Sequence, residues 1–255
     1  MPIASNFSSN RTPMGWLEIA MGEDPYTSCV NKFGRNEATA AGDGLWVLST
    51  AFPSVDDITP GVATLTSSSD ADNKTTATGA LTVRCFGLDA DKAEQEETVT
   101  LSGTDNVVTS GTYSRIFRIK VLTAGSGDVA AGNITATIGG TSVAYILAGR
   151  TQTEQAWYTV PAGVVGVVTR MRASFANTSA TRSTDIELMV TAAEDSNVLL
   201  PINTMSLVTV GDGEVEVNFD PAIKVTEKLD IMLRCKAISA GSQVHGSFDM
   251  YLMRR

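Results

Sequence analysis

The chain has 255 residues, 43% of them apolar, 18% charged and 6% aromatic, with one His, three Cys and a net charge of −9. A chain this long buries roughly 70–75% of its unfolded surface without covalent staples, and length alone allows one large β domain or two small ones. The acidic balance argues against a nucleic-acid partner, because phosphate binding needs Lys and Arg to displace counterions. No run approaches the ~18 consecutive apolar residues of a membrane-spanning helix.

In chain order, the opening MPIASNFSSNRT lacks the charged-then-apolar-then-small order of a secretory leader. Residues 1–58 carry no sustained period of either kind. MGWLEIAMGED at 14–24 allows a turn or two of helix, limited by Gly15, Gly22 and Pro25. GDGLWVLSTAFP at 42–53 reads as a turn and one apolar strand. The segment is expected to be an extended arm that gains order on a partner, with Trp16, Leu17, Ile19, Phe33, Trp46, Val47, Leu48 and Phe52 as anchors. A loosely folded leader with no partner role stays open as the alternative.

From about 59 the chain turns to short strands punctuated by Gly, Asp and Asn. VATLTS, LTVRCFGLD, ETVTLSG, TYSRIFRIKVL, NITATIGG and SVAYILAG fill 62–149, with a Gly139-Gly140 hairpin signal between the last two. AWYTVPAG, VGVVTRMRASF, TDIELMVTA, MSLVTV, EVEVNF, LDIMLRCKAI and HGSFDMYLM follow, and Gly211-Asp212-Gly213 marks a turn between MSLVTV and EVEVNF. Val215, Val217 and Phe219 alternate with Glu214, Glu216 and Asn218, which gives one dry and one wet face. About thirteen strands and no long helix predict an all-β fold: an antiparallel β-sandwich or jelly-roll body with an extended N-terminal arm. The expected division is arm 1–58, β-sandwich 59–150 and jelly-roll-like β-sandwich 151–255, the last two separate or one continuous unit around GRTQTEQ.

Chemistry is sparsely represented. Cys29, Cys85 and Cys235 are odd in number and far apart, which speaks against disulfides or a zinc site and fits a reducing compartment. Any Ser-His-Asp or Cys-His arrangement must pass through His245, which sits on the predicted last strand. Carboxylates gather at Asp70-x-Asp72, Asp89-x-Asp91 and Glu94-x-Glu96-Glu97, as solvated loop charge or a surface calcium site. AGSGDVAAGN at 124–133 is no phosphate cradle, because it has no lysine and the wrong glycine spacing. Arg115, Arg118 and Lys120, then Arg170 and Arg172, and Arg254-Arg255 either line the wet faces of strands or meet acidic surface on a neighbouring subunit. No catalytic, cofactor-binding or metal-ligating residue is assigned, and no cofactor is expected.

The succession SSSDADNKTTATGALTVRCFGLD, EETVTLSG, TYSRIFRIKVL, GNITATIGG and QAWYTVPAG resembles a group of tailed-bacteriophage virion structural proteins, many of them from marine phages. KFGRN and LWVLSTAFP resemble that group's amino-terminal arm, and the run from VPAG through EKLDIMLRC is similar to jelly-roll modules of phage heads, necks and fibres. The resemblance implies a non-enzymatic virion component, a capsid decoration or cement protein or a neck protein. It would be assembled in the host cytoplasm beside other virion proteins as a symmetric homo-oligomer, with a homotrimer expected. The alternative is a receptor- or carbohydrate-binding module of a fibre or spike, with the loops at 68–79, 89–97 and 124–132 as its candidate site.

Overall fold

The computed structural model describes residues 15–53, 58–75, 78–176, 183–191, 202–210, 213–237 and 242–254. The expected arm's first fourteen residues and the Gly211-Asp212 part of the expected turn lie outside them. One seven-residue helix, α1 (Gly15–Met21), precedes β1 (Thr27–Thr39). Then come β2 (Gly61–Ser67), β3 (Ala80–Leu88), β4 (Glu94–Thr100), β5 (Val107–Tyr113), β6 (Arg115–Ala124), β7 (Ile134–Ile138) and β8 (Thr141–Ile146). The series ends with β9 (Trp157–Thr159), β10 (Val164–Ala176), β11 (Thr184–Thr191), β12 (Ile202–Val210), β13 (Gly213–Val225), β14 (Asp230–Ala237) and β15 (Ser242–Arg254). The protein is all-β and every strand pairing is antiparallel. Among the described residues no helix is long and apolar enough to cross a membrane.

Two sheets, β1-β15-β10-β13 and β12-β11-β14-β9, form one sandwich. Its pairings are nested in sequence. β1 pairs with β15, β9 with β14, β10 with β13, and β11 with β12. First with last, second with second-last and so inward is a long hairpin rolled onto itself, the jelly-roll arrangement of eight strands. Leu45, Tyr158, Met171, Phe175, Leu188, Ile231, Leu233, Phe248 and Met250 fill its core.

Strands β2 to β8 form a second sandwich, from sheets β5-β2-β7-β8 and β4-β3-β6. The alternation read from the sequence holds there: Val83 and Cys85 face inward with Ile119, Ile134, Ala136 and Ile138, while Arg84 faces out. Asp72 ties the loops at one end. It accepts the Ser67 hydroxyl at 2.6 Å and the amides of Ala80, Ala131 and Gly132 at 2.7 to 2.8 Å. A buried carboxylate with four donors holds its loops as a unit.

This second sandwich is an insertion between the first and second strands of the jelly roll. Residues 27–53, expected as an arm, therefore lie on the chain's own body. The reason lies in β1 itself. Along 31–37 its buried positions are Lys32, Gly34 and Asn36, and Asn31, Phe33 and Arg35 face away, so no apolar period announces the strand. Gly34 is required at its place. A Cβ there would run into the Leu45 carbonyl and the Ala156 amide.

The way into the insertion and the way out lie side by side. Leu45 donates its amide to Leu233 O at 3.0 Å and accepts the Ala156 amide at 2.9 Å, and Leu233 in turn donates to Ala156 O at 3.0 Å. Alternation then divides the side chains between two cores. Ala156 and Tyr158 point into the jelly roll while Trp157 points into the insertion, and Ile231 and Leu233 oppose Met232 in the same way. Trp46 stacks on Phe52 at 5.1 Å, and Phe52 on Trp157 at 5.6 Å.

Across this junction Arg115 at the start of β6 meets Asp230 at the start of β14, both fully buried. Nε and one terminal nitrogen lie 3.3 and 3.1 Å from the two carboxylate oxygens, and the other terminal nitrogen donates to Ser114 O at 2.7 Å. The Thr159 hydroxyl donates to Asp230 as well, and the guanidinium sits 5.9 Å from the Trp157 ring. Breaking a buried pair leaves an uncompensated charge. Asp230→Ala is expected to cost about 3–5 kcal/mol in denaturant unfolding, while the joint change Arg115→Met with Asp230→Leu recovers most of that loss. Equal losses in the single and double variants would refute this account.

Candidate functional site

The acidic clusters of the sequence do not converge. Thr104 donates its amide and its hydroxyl to Asp70, at 3.3 and 2.7 Å, holding that carboxyl below its ordinary value. Asp89 closes its own turn by accepting the amides of Asp91 and Ala93 at 2.9 Å. Glu97 accepts the amides of Ser110 and Gly111, and Glu94 pairs with Arg254 at 3.2 Å. Among the described residues no three His, Cys, Asp or Glu come together as a metal site. Of the candidate recognition loops, 68–75 and 124–132 meet at Asp72, while the turn at 89–93 packs against 160–163 through the Ala162 amide to Lys92 O bond at 2.9 Å.

Arg115, Arg170, Arg172 and Arg254 are paired with carboxylates of the same chain. Arg170 lies on Asp249, with Nε 2.6 Å from its carboxylate, and Arg172 donates to Glu216 at 2.6 Å. Arg115 is buried at the junction, and Arg118 lies 5.6 Å over the Phe86 ring while donating to Gln152 at 2.6 Å. Of the two readings of these cations, the wet face of a strand describes Arg170 and Arg172. His245 is exposed on β15 opposite Arg35, and desolvation followed by the Arg35 charge lowers its pKa. Burial pushes the thiols of Cys85 and Cys235 up to about 12, so neither offers a thiolate nucleophile near neutrality.

The expected arm anchors part company. Trp16 and Leu17 fall in α1, and their side chains lie outside the described residues. Ile19 is half-buried. Trp46 and Phe52 pack toward the insertion through Trp157, and Phe33 is 39% exposed at the lip of a cleft.

That cleft, about 580 Å³, separates β1 from the outer face of β4-β3-β6. Phe86, Glu96 and Arg118 stand in register on that face. Phe117 and Tyr158 stack at 4.7 Å in its floor. A second depression of about 420 Å³ lies on the outer face of the jelly-roll sheet, lined by Thr169, Arg170, Asn218, Asp249 and Tyr251. The two share Cys29, Val30 and Asn31, so they adjoin along β1 as the two halves of a groove that this strand divides. The sequence marked Phe33 here but missed Lys32, Asn31 and Phe117, which no local period connects.

Lys32 is the unusual group. Its ammonium is buried, donates to Phe117 O at 2.5 Å and lies 5.8 Å from that residue's ring. Burial, and next the Arg118 charge, lower its pKa from 10.5 to about 7. Between those two values the unfolded chain holds the extra proton, so this group makes stability rise as pH climbs from about 7 to 10.5 and weakens the fold below 7. Lys32→Met is expected to flatten that slope in chemical denaturation, whatever its fixed offset, and an unchanged slope would contradict the assignment. Compared with models of known protein families the chain matches none, and no curated protein matches it either, so function is read from this geometry.

Proposed function

We propose that the chain is a non-enzymatic structural component of a tailed-bacteriophage virion, a capsid decoration or cement protein or a neck protein. In this reading it assembles in the host cytoplasm as a symmetric homotrimer and ends on the particle beside other virion proteins. One observation carries the reading: the groups suited to chemistry are spent on holding the fold together. Asp72 binds loops, Arg115 and Asp230 bind the two bodies, and Arg170 and Arg172 are matched by Asp249 and Glu216. Jelly rolls recur in viral capsids and in lectins, and that support is fold-level analogy. A rigid block whose strand arginines are paired with its own carboxylates suits a part that is docked in many copies. The second reading, a receptor- or carbohydrate-binding module, draws on the groove at β1.

In this reading self-association uses the surface where β1 begins and β15 ends. Tyr26 is 69% and Met253 45% exposed, and Thr27, next to Tyr26, is the register partner of Met253. Exposed apolar side chains grouped in this way mark interaction sites. Sedimentation of the purified protein is expected to show a trimer, and Tyr26→Asp with Met253→Asp to give monomers that keep the wild-type melting point. A strictly monomeric parent protein missing from purified particles would overturn the reading.

A further inference from the structure

We propose that the groove straddling β1 binds a short neutral oligosaccharide. It is built for a ligand recognised by hydrogen bonds and ring faces rather than by charge. The cleft volume of about 580 Å³ falls within the roughly 300–1,000 Å³ of small-ligand sites. Planar polar side chains line both of its halves: Gln95 and Gln152 under the insertion, Asn218 on the sheet, and Asn31 on the strand between. Each is held at one end inside the chain: Gln95, Asn218 and Asn31 donate to Thr112 O, Glu216 and Asp249, and Gln152 accepts from Arg118. That orients the other end of each amide for a sugar hydroxyl. Phe33 presents its ring at the rim, a face against which the C–H side of a pyranose packs.

A buried polar atom also points to a ligand. Thr153 lines the cleft and is only 4% exposed, and its Oγ1 has no hydrogen-bond partner among the described residues. Buried hydroxyls are ordinarily satisfied.

The charged groups of the cleft already have hydrogen-bond or ion-pair partners within the chain. Lys32 donates to Phe117 O, Arg118 to Gln152, Glu94 pairs with Arg254, and Glu96 lies 3.5 Å from Arg84. The cleft's two carboxylates are thus paired, and the chain's charge of −9 disfavours polyanions. A peptide strand added to β1 fits less well. The edge lines the cleft only over 28–33, and beyond it Leu45 O and Ala156 N close on Gly34. The groove is complete within one chain, so it neither requires the trimer nor tests it.

Cys29 provides the probe. It is an exposed thiol lining both halves of the groove, whereas Cys85 and Cys235 are buried. The full chain would be alkylated with a maleimide in the presence of neutral tri- to hexasaccharides of glucose, galactose and mannose, with calorimetric titration in parallel. At least one sugar is expected to slow Cys29 labelling and to release or absorb heat. Phe33→Ala and Asn31→Ala, both at exposed positions, should each weaken binding roughly tenfold, about 1.4 kcal/mol, with the melting point unchanged. No protection by any sugar at millimolar concentration would overturn the proposal. So would protection only by sulfated sugars or by extended peptides, or protection that survives both substitutions.

Discussion

The structure depends on a sheet wall whose two faces belong to different cores. Along 156–158 and 231–233, neighbouring side chains turn alternately into the jelly roll and into the inserted sandwich. In a strand this division follows from the two-residue period alone. It makes the wall dry on both sides, and such strands read as continuous apolar runs rather than as alternation. AWYTV and DIMLRC are runs of that kind. The bidentate Arg115–Asp230 pair sits at the end of the same wall. Its net contribution to stability is modest beside that of the apolar faces, but an unpaired guanidinium there would be costly, so the pair fixes how the two bodies meet.

With both bodies anchored to one wall, β1 can be a polar strand. Its inner face does not have to seal a core by itself, because Phe117 of the insertion covers Lys32, and Leu45 and Ala156 cover Gly34. The cleft follows from the same arrangement. It lies between the edge of one sandwich and the outer face of the other, a junction where pockets commonly form. Its polarity comes from surfaces that were already wet on each partner.

Much of the fold was legible in the sequence. Strands such as VATLTS and NITATIGG carry clean alternation and reappear as β2 and β7 with inward Ala63, Leu65, Ile134, Ala136 and Ile138. EVEVNF likewise lies within β13. What the sequence hid was pairing over distance. That β1 joins β15 across more than two hundred positions leaves no local mark, so a segment without a period read as an arm. The interruption near 150 was visible as polar residues, but its meaning, a return from an insertion, depends on which strand lies beside which. The candidate site was the least legible part. Lys32, Arg118 and Tyr158 come from three distant segments, and each looked ordinary among its own neighbours.

Nested pairing also sets the order in which the molecule is completed during synthesis. β15 is the central partner of both β1 and β10, and it is the last of the described strands. The inserted sandwich has all its strands within 61–146, so it is free to fold while the rest of the chain is still being made. The strand made first among the fifteen must wait for the last, an ordering of high contact order that slows closure. Until then β1 and β10 present unpaired edges, open to pairing with other chains. A ribosome that stops short of β15 therefore releases a finished insertion tethered to an unclosed sheet.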